Sequence, residues 1–228
     1  MIVPFKGHKG LLVLIVVMVL LSSCGGRRAY RLHRIPPSGK EVMVASWYGE
    51  KFHGRPTASG EIFNMYDYTA AHKSLPFGTR LRITYPETGR SVVVKVNDRG
   101  PFVRGRDIDL SYAAARRIGL VKDGTGRVFV EYIGRDNSYV RPVRYNSKRG
   151  PLTVQVASFR ELSNAFRLKQ ILEHTYDEVY LMKVWIRGER FYRVRIGRSL
   201  SLDEARRLAR RLSEEGYPVL VTNYREAI

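Results

Sequence analysis

The chain is nearly devoid of cysteine. Its one thiol, Cys24, excludes an intrachain disulfide framework and any paired-cysteine metal site. A long apolar run is also missing. The longest, residues 11–21, has eleven residues, against about 20 for a bilayer-spanning helix. Neither an H-E-x-x-H zinc spacing nor a G-x-S-x-G nucleophile elbow occurs. Zinc-assisted hydrolysis and serine acylation therefore have no sequence support. Acidic residues are scarce, 21 against 40 Lys and Arg, for a net charge of +19. Such an excess points to an anionic partner: nucleic acid, anionic lipid or an acidic polymer. What is present suits a folded chain. Hydrophobic residues make up 44% of the 228 and charged residues 27%, which excludes wholesale disorder. The length allows one large or two small domains.

The first residues bear on the compartment. Lys6, His8 and Lys9 precede the apolar run, and Leu21-Ser22-Ser23-Cys24-Gly25 closes it. A basic start, a short apolar stretch and small residues fit a secretory signal. Small residues ahead of a lone cysteine also resemble a bacterial lipoprotein signal. In such signals the cysteine becomes the new N-terminus, so the resemblance implies a lipid bilayer anchor at Cys24. The alternative is an incidental cysteine in an apolar helix. Gly25, rather than an aspartate, follows the cysteine; by the same resemblance this implies sorting to the outer membrane. Removing residues 1–24 takes out two lysines and leaves the chain near +17. An envelope protein does not normally meet nucleic acid, so the anionic partner is expected in the envelope.

The remaining chain divides by pattern. Residues 25–42 hold five basic residues, two prolines and three glycines without apolar period, a tether. Residues 43–133 carry short apolar or alternating runs at 43–45, 79–84, 91–96 and 127–133, separated by Gly and Pro. Short, closely spaced strands predict an all-β barrel or sandwich. One helix is expected at 112–118, capped by Ser111 and ended by Gly119. Residues 134–150 are basic and polar, a second linker. From Pro151 to residue 228 the reading is strand 152–157, helix 162–174, strands 179–185 and 190–196, a helix opened by the box Ser201-Leu202-Asp203-Glu204, and strand 217–222. That order, βαββαβ, is the ferredoxin-like plan. Of the +13 carried by residues 25–150, about eight lies in the two linkers, so part of the excess is a solvated tether.

Several clusters crowd the middle segment: Ala45-Ser46-Trp47-Tyr48-Gly49, Phe52 through Glu61, Thr69-Ala70-Ala71-His72-Lys73, Leu75-Pro76-Phe77-Gly78-Thr79, Val96 through Phe102, and Asp107-Ile108-Asp109-Leu110-Ser111. Together, over about 90 residues, they resemble the double-psi β-barrel of the rare lipoprotein A family, septal-ring lytic transglycosylases of bacteria. The C-terminal runs Val154 through Phe159 and Tyr192 through Gly197 look like a SPOR glycan-binding module. The resemblance implies a mainly β double-psi barrel followed by a small α+β SPOR domain.

Glycoside cleavage passes through an oxocarbenium-like state and needs a proton for the leaving oxygen. In a lytic transglycosylase the 6-hydroxyl of the same sugar attacks, so one or two carboxyl groups suffice and no metal or cofactor is expected. Asp98 is the leading candidate, set in a Gly/Pro-flanked turn after a strand. Apolar walls would raise its pKa, and Arg99 could pull the other way. Its alternative is a turn cap made through its backbone. Glu61, after Ser59-Gly60, is the second carboxylate by resemblance; judged alone it reads as a surface residue. His72 and Asn64 join the site by the same resemblance, in orientation. Asn64 stands where relatives often carry aspartate, and an amide binds hydroxyls but exchanges no proton. Trp47 or Tyr48 could offer a flat face to a sugar, against core packing as the plain alternative.

In the C-terminal module, Phe191, Arg193 and Arg195 alternate onto one face of their strand, with Gln155 on the neighbouring one. By resemblance to SPOR modules, Gln155, Ser158, Phe191 and Arg193 hold glycan stripped of its peptides, whose lactyl carboxylates make it a polyanion. The alternative is a solvated basic face. An RNA-recognition fold shares the βαββαβ order, but its aromatic signature is absent. The expectation is a lipid-anchored lytic transglycosylase facing the periplasm and acting on peptidoglycan strands, enriched at the septum with possible divisome partners. The rival is a non-catalytic, expansin-like wall binder.

Overall fold

A computed structural model of the chain describes residues 39–224. The expected signal peptide 1–24, the lipidation site Cys24 and most of the tether 25–42 lie outside the described residues. No helix among the described residues is long and apolar enough to cross a membrane.

Six strands close a barrel: β1 (Glu41–Tyr48), β2 (Thr69–His72), β3 (Thr79–Tyr85), β4 (Arg90–Asp98), β5 (Ile108–Ser111) and β6 (Thr125–Arg135), in the order β1-β5-β2-β4-β3-β6. The β1–β5 and β2–β4 pairs are parallel and the others antiparallel. Alternation does the sorting. Leu81, Ile83, Val92, Val94, Val96, Ile108, Leu110 and Val128 point inward and are buried together. Each fully buried Leu or Ile stabilises the fold by roughly 1.5–3 kcal/mol. Helix α1 (Tyr112–Ile118) packs its Ala114, Ala115 and Ile118 on this core. Ser111 accepts from the Ala114 amide and Gly119, at φ 87°, ends the helix, as the sequence predicts.

The second sheet has the order β7-β11-β8-β10-β9, from β7 (Val143–Tyr145), β8 (Leu152–Phe159), β9 (Val179–Ile186), β10 (Glu189–Leu200) and β11 (Val219–Asn223). Helices α2 (Leu162–Glu173) and α3 (Leu202–Glu215) bury Ala165, Leu168, Leu172, Ala205, Ala209 and Leu212 against Val154, Val156, Val194 and Ile196. The capping box at Ser201 and Glu204 forms, with Gly216 at the C-cap. The order from β8 onward is βαββαβ. Strand β7 is the difference. It lies within 134–150, read as a linker, and pairs parallel with β11. Three residues of mixed polarity carry no alternation to detect; the open edge of β11 supplies the pairing.

The two sheets share packing. Phe77, from the loop before β3, is fully buried within the core of the C-terminal domain, as is Tyr139 at 6% exposure. The Phe77 amide donates to the Glu215 carbonyl at 3.0 Å, and its ring meets Tyr217 edge-on at 5.2 Å.

Candidate active site

The site begins with a register shift. Ala70 pairs with Val96, but Ala71 pairs with Asp98, so Asn97 is the extra residue of a bulge. Bulges re-aim side chains, and here Asn97 and Asp98 reach the same loop. Within that loop, the Thr57 amide donates to the Glu61 carbonyl at 2.7 Å. Gly60, at φ 93°, turns the chain back, a conformation that favours glycine. The Ser59 amide donates to the Asn97 carbonyl at 3.2 Å. The loop is thereby laid over the end of β4: its Ala58 amide bonds Asp98 and its Glu61 side chain bonds Asn97.

Asp98 is 7% exposed. Its Oδ1 accepts from the amides of Ala58 and Arg99, both at 2.8 Å. This leaves Oδ2 as the oxygen suited to carry a proton. Burial pushes its pKa up; the two amide bonds and the charges of Arg167 and Arg99 oppose this without cancelling it. The Arg99 guanidinium is turned away: Nη1 donates to the Leu75 carbonyl at 2.9 Å, and the group stacks 3.8 Å above Phe77. Among the described residues, Asp98 therefore has an arginine amide for a partner and no arginine side-chain bond.

Glu61 is pushed the other way. Burial raises its pKa, but bonds from Asn97 and Tyr139 and the Lys95 charge outweigh it, and the net shift is down. Asn97 Nδ2 donates at 2.7 Å, Lys95 Nζ at 3.3 Å, and the Tyr139 hydroxyl donates to Oε1. The two carboxyls, both held against the 57–61 loop, are thus shifted in opposite directions, the pattern that separates roles in carboxyl pairs.

His72 Nδ1 accepts from the amides of Leu75 at 2.9 Å and Ser74 at 3.2 Å. The neutral ring thus carries its proton on Nε2, and the residue braces the loop that carries Phe77. Asn64 bonds within its own turn: its Nδ2 donates to Asp67 at 3.1 Å and its Oδ1 accepts from the Tyr66 amide at 3.1 Å. An asparagine readily closes such a local turn. Trp47 packs on the barrel core and against Tyr112 at 5.6 Å. Tyr48 stacks on Phe63 at 4.4 Å. Burial, then the Asp98 charge, pushes the Tyr48 hydroxyl pKa up. Asp109 lies one strand beyond Ala71, accepts from Ser46 and pairs with Arg106 at 3.3 Å; burial pushes its pKa up as well. Among the described residues, no three His, Cys, Asp or Glu side chains gather to hold a metal.

Residues 40–130 match the family described as lytic transglycolase, and residues 148–222 match the SPOR domain. The chain is 46% identical over 147 residues to a Vibrio cholerae protein named endolytic peptidoglycan transglycosylase RlpA, covering 64% of this chain and 55% of that one. A Pasteurella multocida protein of the same name is 38% identical over 177 residues, covering 76% of this chain and 58% of its own. In these matched segments the chain is similar to the rare lipoprotein A family. It spans little more than half the length of these two relatives. The closed barrel is the family's double-psi fold, followed by its SPOR domain.

The SPOR face has its own geometry. Strict alternation puts Gln155 and Ser158 on opposite faces, but a shift in the β8–β10 register intervenes. Gln155 pairs with Arg195 and Ser158 with Arg193, so both join the face carrying Phe191. Phe191 and Arg193 are half-buried and Ser158 is exposed. Arg195 is a correction to the open-face expectation: it is fully buried, flanked by Gln155 and Tyr180. Exposure depends on what surrounds a side chain as well as on its phase along the strand.

Three members of the barrel cluster escaped sequence reasoning. Lys95 and Asn97 are two apart on one strand and both reach Glu61, a spacing the sequence does display. Tyr139 bonds Glu61 from 78 residues away, and no local signal announces it.

Proposed function

We propose that the chain is an endolytic lytic transglycosylase of peptidoglycan, cutting the MurNAc-β-1,4-GlcNAc bond of peptide-poor strands and leaving 1,6-anhydro ends. The observation that carries this reading is a buried Asp98, bonded among the described residues through Oδ1 alone, against the same loop as Glu61, whose carboxylate takes bonds from Asn97, Lys95 and Tyr139. Asp98 gives its proton to the bridging oxygen as the C1–O4 bond breaks. Glu61 faces the developing positive charge with fixed negative charge. The sugar's 6-hydroxyl oxygen then bonds to C1 and returns its proton to Asp98. One bond forms, one breaks, and no water is consumed. The relatives named for this activity support the reaction class. His72 sets the turn whose Leu75 carbonyl holds the Arg99 guanidinium, and Tyr48, stacked on Phe63, feels the Asp98 charge. For Asn64 the bonds in its own turn favour a role in shaping the loop.

The SPOR domain keeps denuded glycan near the barrel through Gln155, Ser158, Phe191 and Arg193. A lipid anchor at Cys24, an outer-membrane location facing the periplasm and enrichment at the division septum complete the proposal. The test is mass spectrometry of products from peptide-free glycan strands incubated with the protein. Anhydro ends support the transglycosylase. Reducing ends mean a hydrolase, and retained binding without cleavage means the expansin-like wall binder.

A further inference from the structure

We infer that Tyr139, in the segment between the two matched domains, is a positioning residue of the barrel's site: its hydroxyl holds the Glu61 carboxylate in place, and the docked SPOR domain holds Tyr139. The inference rests on reading Glu61 as a site carboxylate. Neither family match, 40–130 or 148–222, includes Tyr139. Three observations fix it. Its side chain is 6% exposed and its hydroxyl donates to Glu61 Oε1. Lys95 Nζ lies 5.3 Å from the ring centroid while also bonding Glu61, so ring, cation and carboxylate form one unit.

The segment is clamped from both domains. On the barrel side, the Asp136 amide donates to the Gly78 carbonyl at 2.9 Å. Gly78, at φ 82°, approaches so closely that a Cβ there would sit 2.6 Å from the Tyr139 ring. On the SPOR side, a Cβ at Gly216 would meet the Tyr139 carbonyl at 3.1 Å and the Phe77 ring at 3.0 Å. Arg135 spans the junction, donating to the Phe77 carbonyl at 3.1 Å and to the Glu214 carbonyl. The Arg141 amide donates to the Ser213 carbonyl at 3.3 Å, and the Ser213 hydroxyl donates back to the Arg141 carbonyl. The glycan-binding domain is thereby built into the placement of a barrel carboxylate.

The test uses the full chain and Tyr139→Phe, which keeps the ring and removes the hydroxyl. Carbon-detected NMR follows the Glu61 carboxyl through a pH titration. Its midpoint is expected to rise by about one pH unit, the worth of a hydrogen bond to a charged group. Turnover on peptide-free strands should fall in kcat with KM within about twofold, its acidic limb moving to higher pH. A second variant, Gly216→Ala, perturbs the clamp at φ 101° without touching the hydroxyl and should move the same midpoint upward. An unmoved Glu61 midpoint in Tyr139→Phe overturns the inference, whatever its effect on melting temperature. A wild-type chain that cleaves nothing overturns the proposed function instead, and the titration still decides the role of Tyr139.

Discussion

Replacing Asp98 by Asn should sharply lower turnover and stabilise the fold in one stroke. Asp98 is 7% exposed and its pKa is raised by burial, net of the amide bonds it accepts. A carboxyl whose folded pKa lies above its unfolded value binds protons better when folded. At neutral pH its ionised form therefore costs stability, about 1.4 kcal/mol for each unit of the shift. Asn keeps an oxygen for the Ala58 and Arg99 amides and removes the buried charge. In a chain of this size each ~1 kcal/mol moves Tm by roughly 2–4 °C. The variant should melt higher than wild type at neutral pH. The gap should close as pH falls below the ordinary carboxylate range, where both states of the wild type are protonated. Losing the proton donor should lower kcat on peptide-free strands by about 10²–10⁴-fold. Calorimetry from acid to neutral pH, paired with product analysis, checks both halves. A variant that melts lower than wild type at neutral pH refutes the burial argument, and one that makes anhydro ends at the wild-type rate refutes the role.

Glu61→Gln should do the reverse to stability. The folded pKa of Glu61 is lowered, so its contribution is present at neutral pH and is lost as pH falls through that folded value. The variant should melt lower near neutrality and match wild type in acid, with turnover reduced about 10²-fold or more. Phe77→Ala empties a fully buried site in the shared core and should cost about 3–5 kcal/mol, read as an earlier denaturant midpoint. Arg193→Ala should weaken binding to denuded strands and flatten its salt dependence while leaving the Glu61 titration unchanged; sedimentation with purified glycan measures the first and NMR the second.

Much of this fold is written locally. The apolar alternation of β3 and β4, the Ser111 and Ser201 caps and the terminal glycines Gly119 and Gly216 each specify their element within a few residues. Glu61 stands in turn-forming sequence, as read, whereas Asp98, read as a turn residue after strand 91–96, is the last residue of β4, which runs on through the bulge at Asn97. The βαββαβ order follows from the sequence of periods alone. Strand β7 was not legible, because three residues carry too little pattern and its partner β11 is distant in sequence.

The chain by itself determined its elements, their order and the residue types available for acid–base work, since capping and periodicity act over one or two turns. Only the tertiary structure decided what those residues became. The bulge opposite Ala70 and Ala71 brought Asp98 beneath the Ala58 amide, and the stacking of Arg99 on Phe77 kept its cation off that carboxyl. Tyr139 reaches Glu61 from a segment bonded to both the barrel and the second domain. Proton affinity depends on burial and on partners brought from far along the chain, and those exist only once the fold has formed.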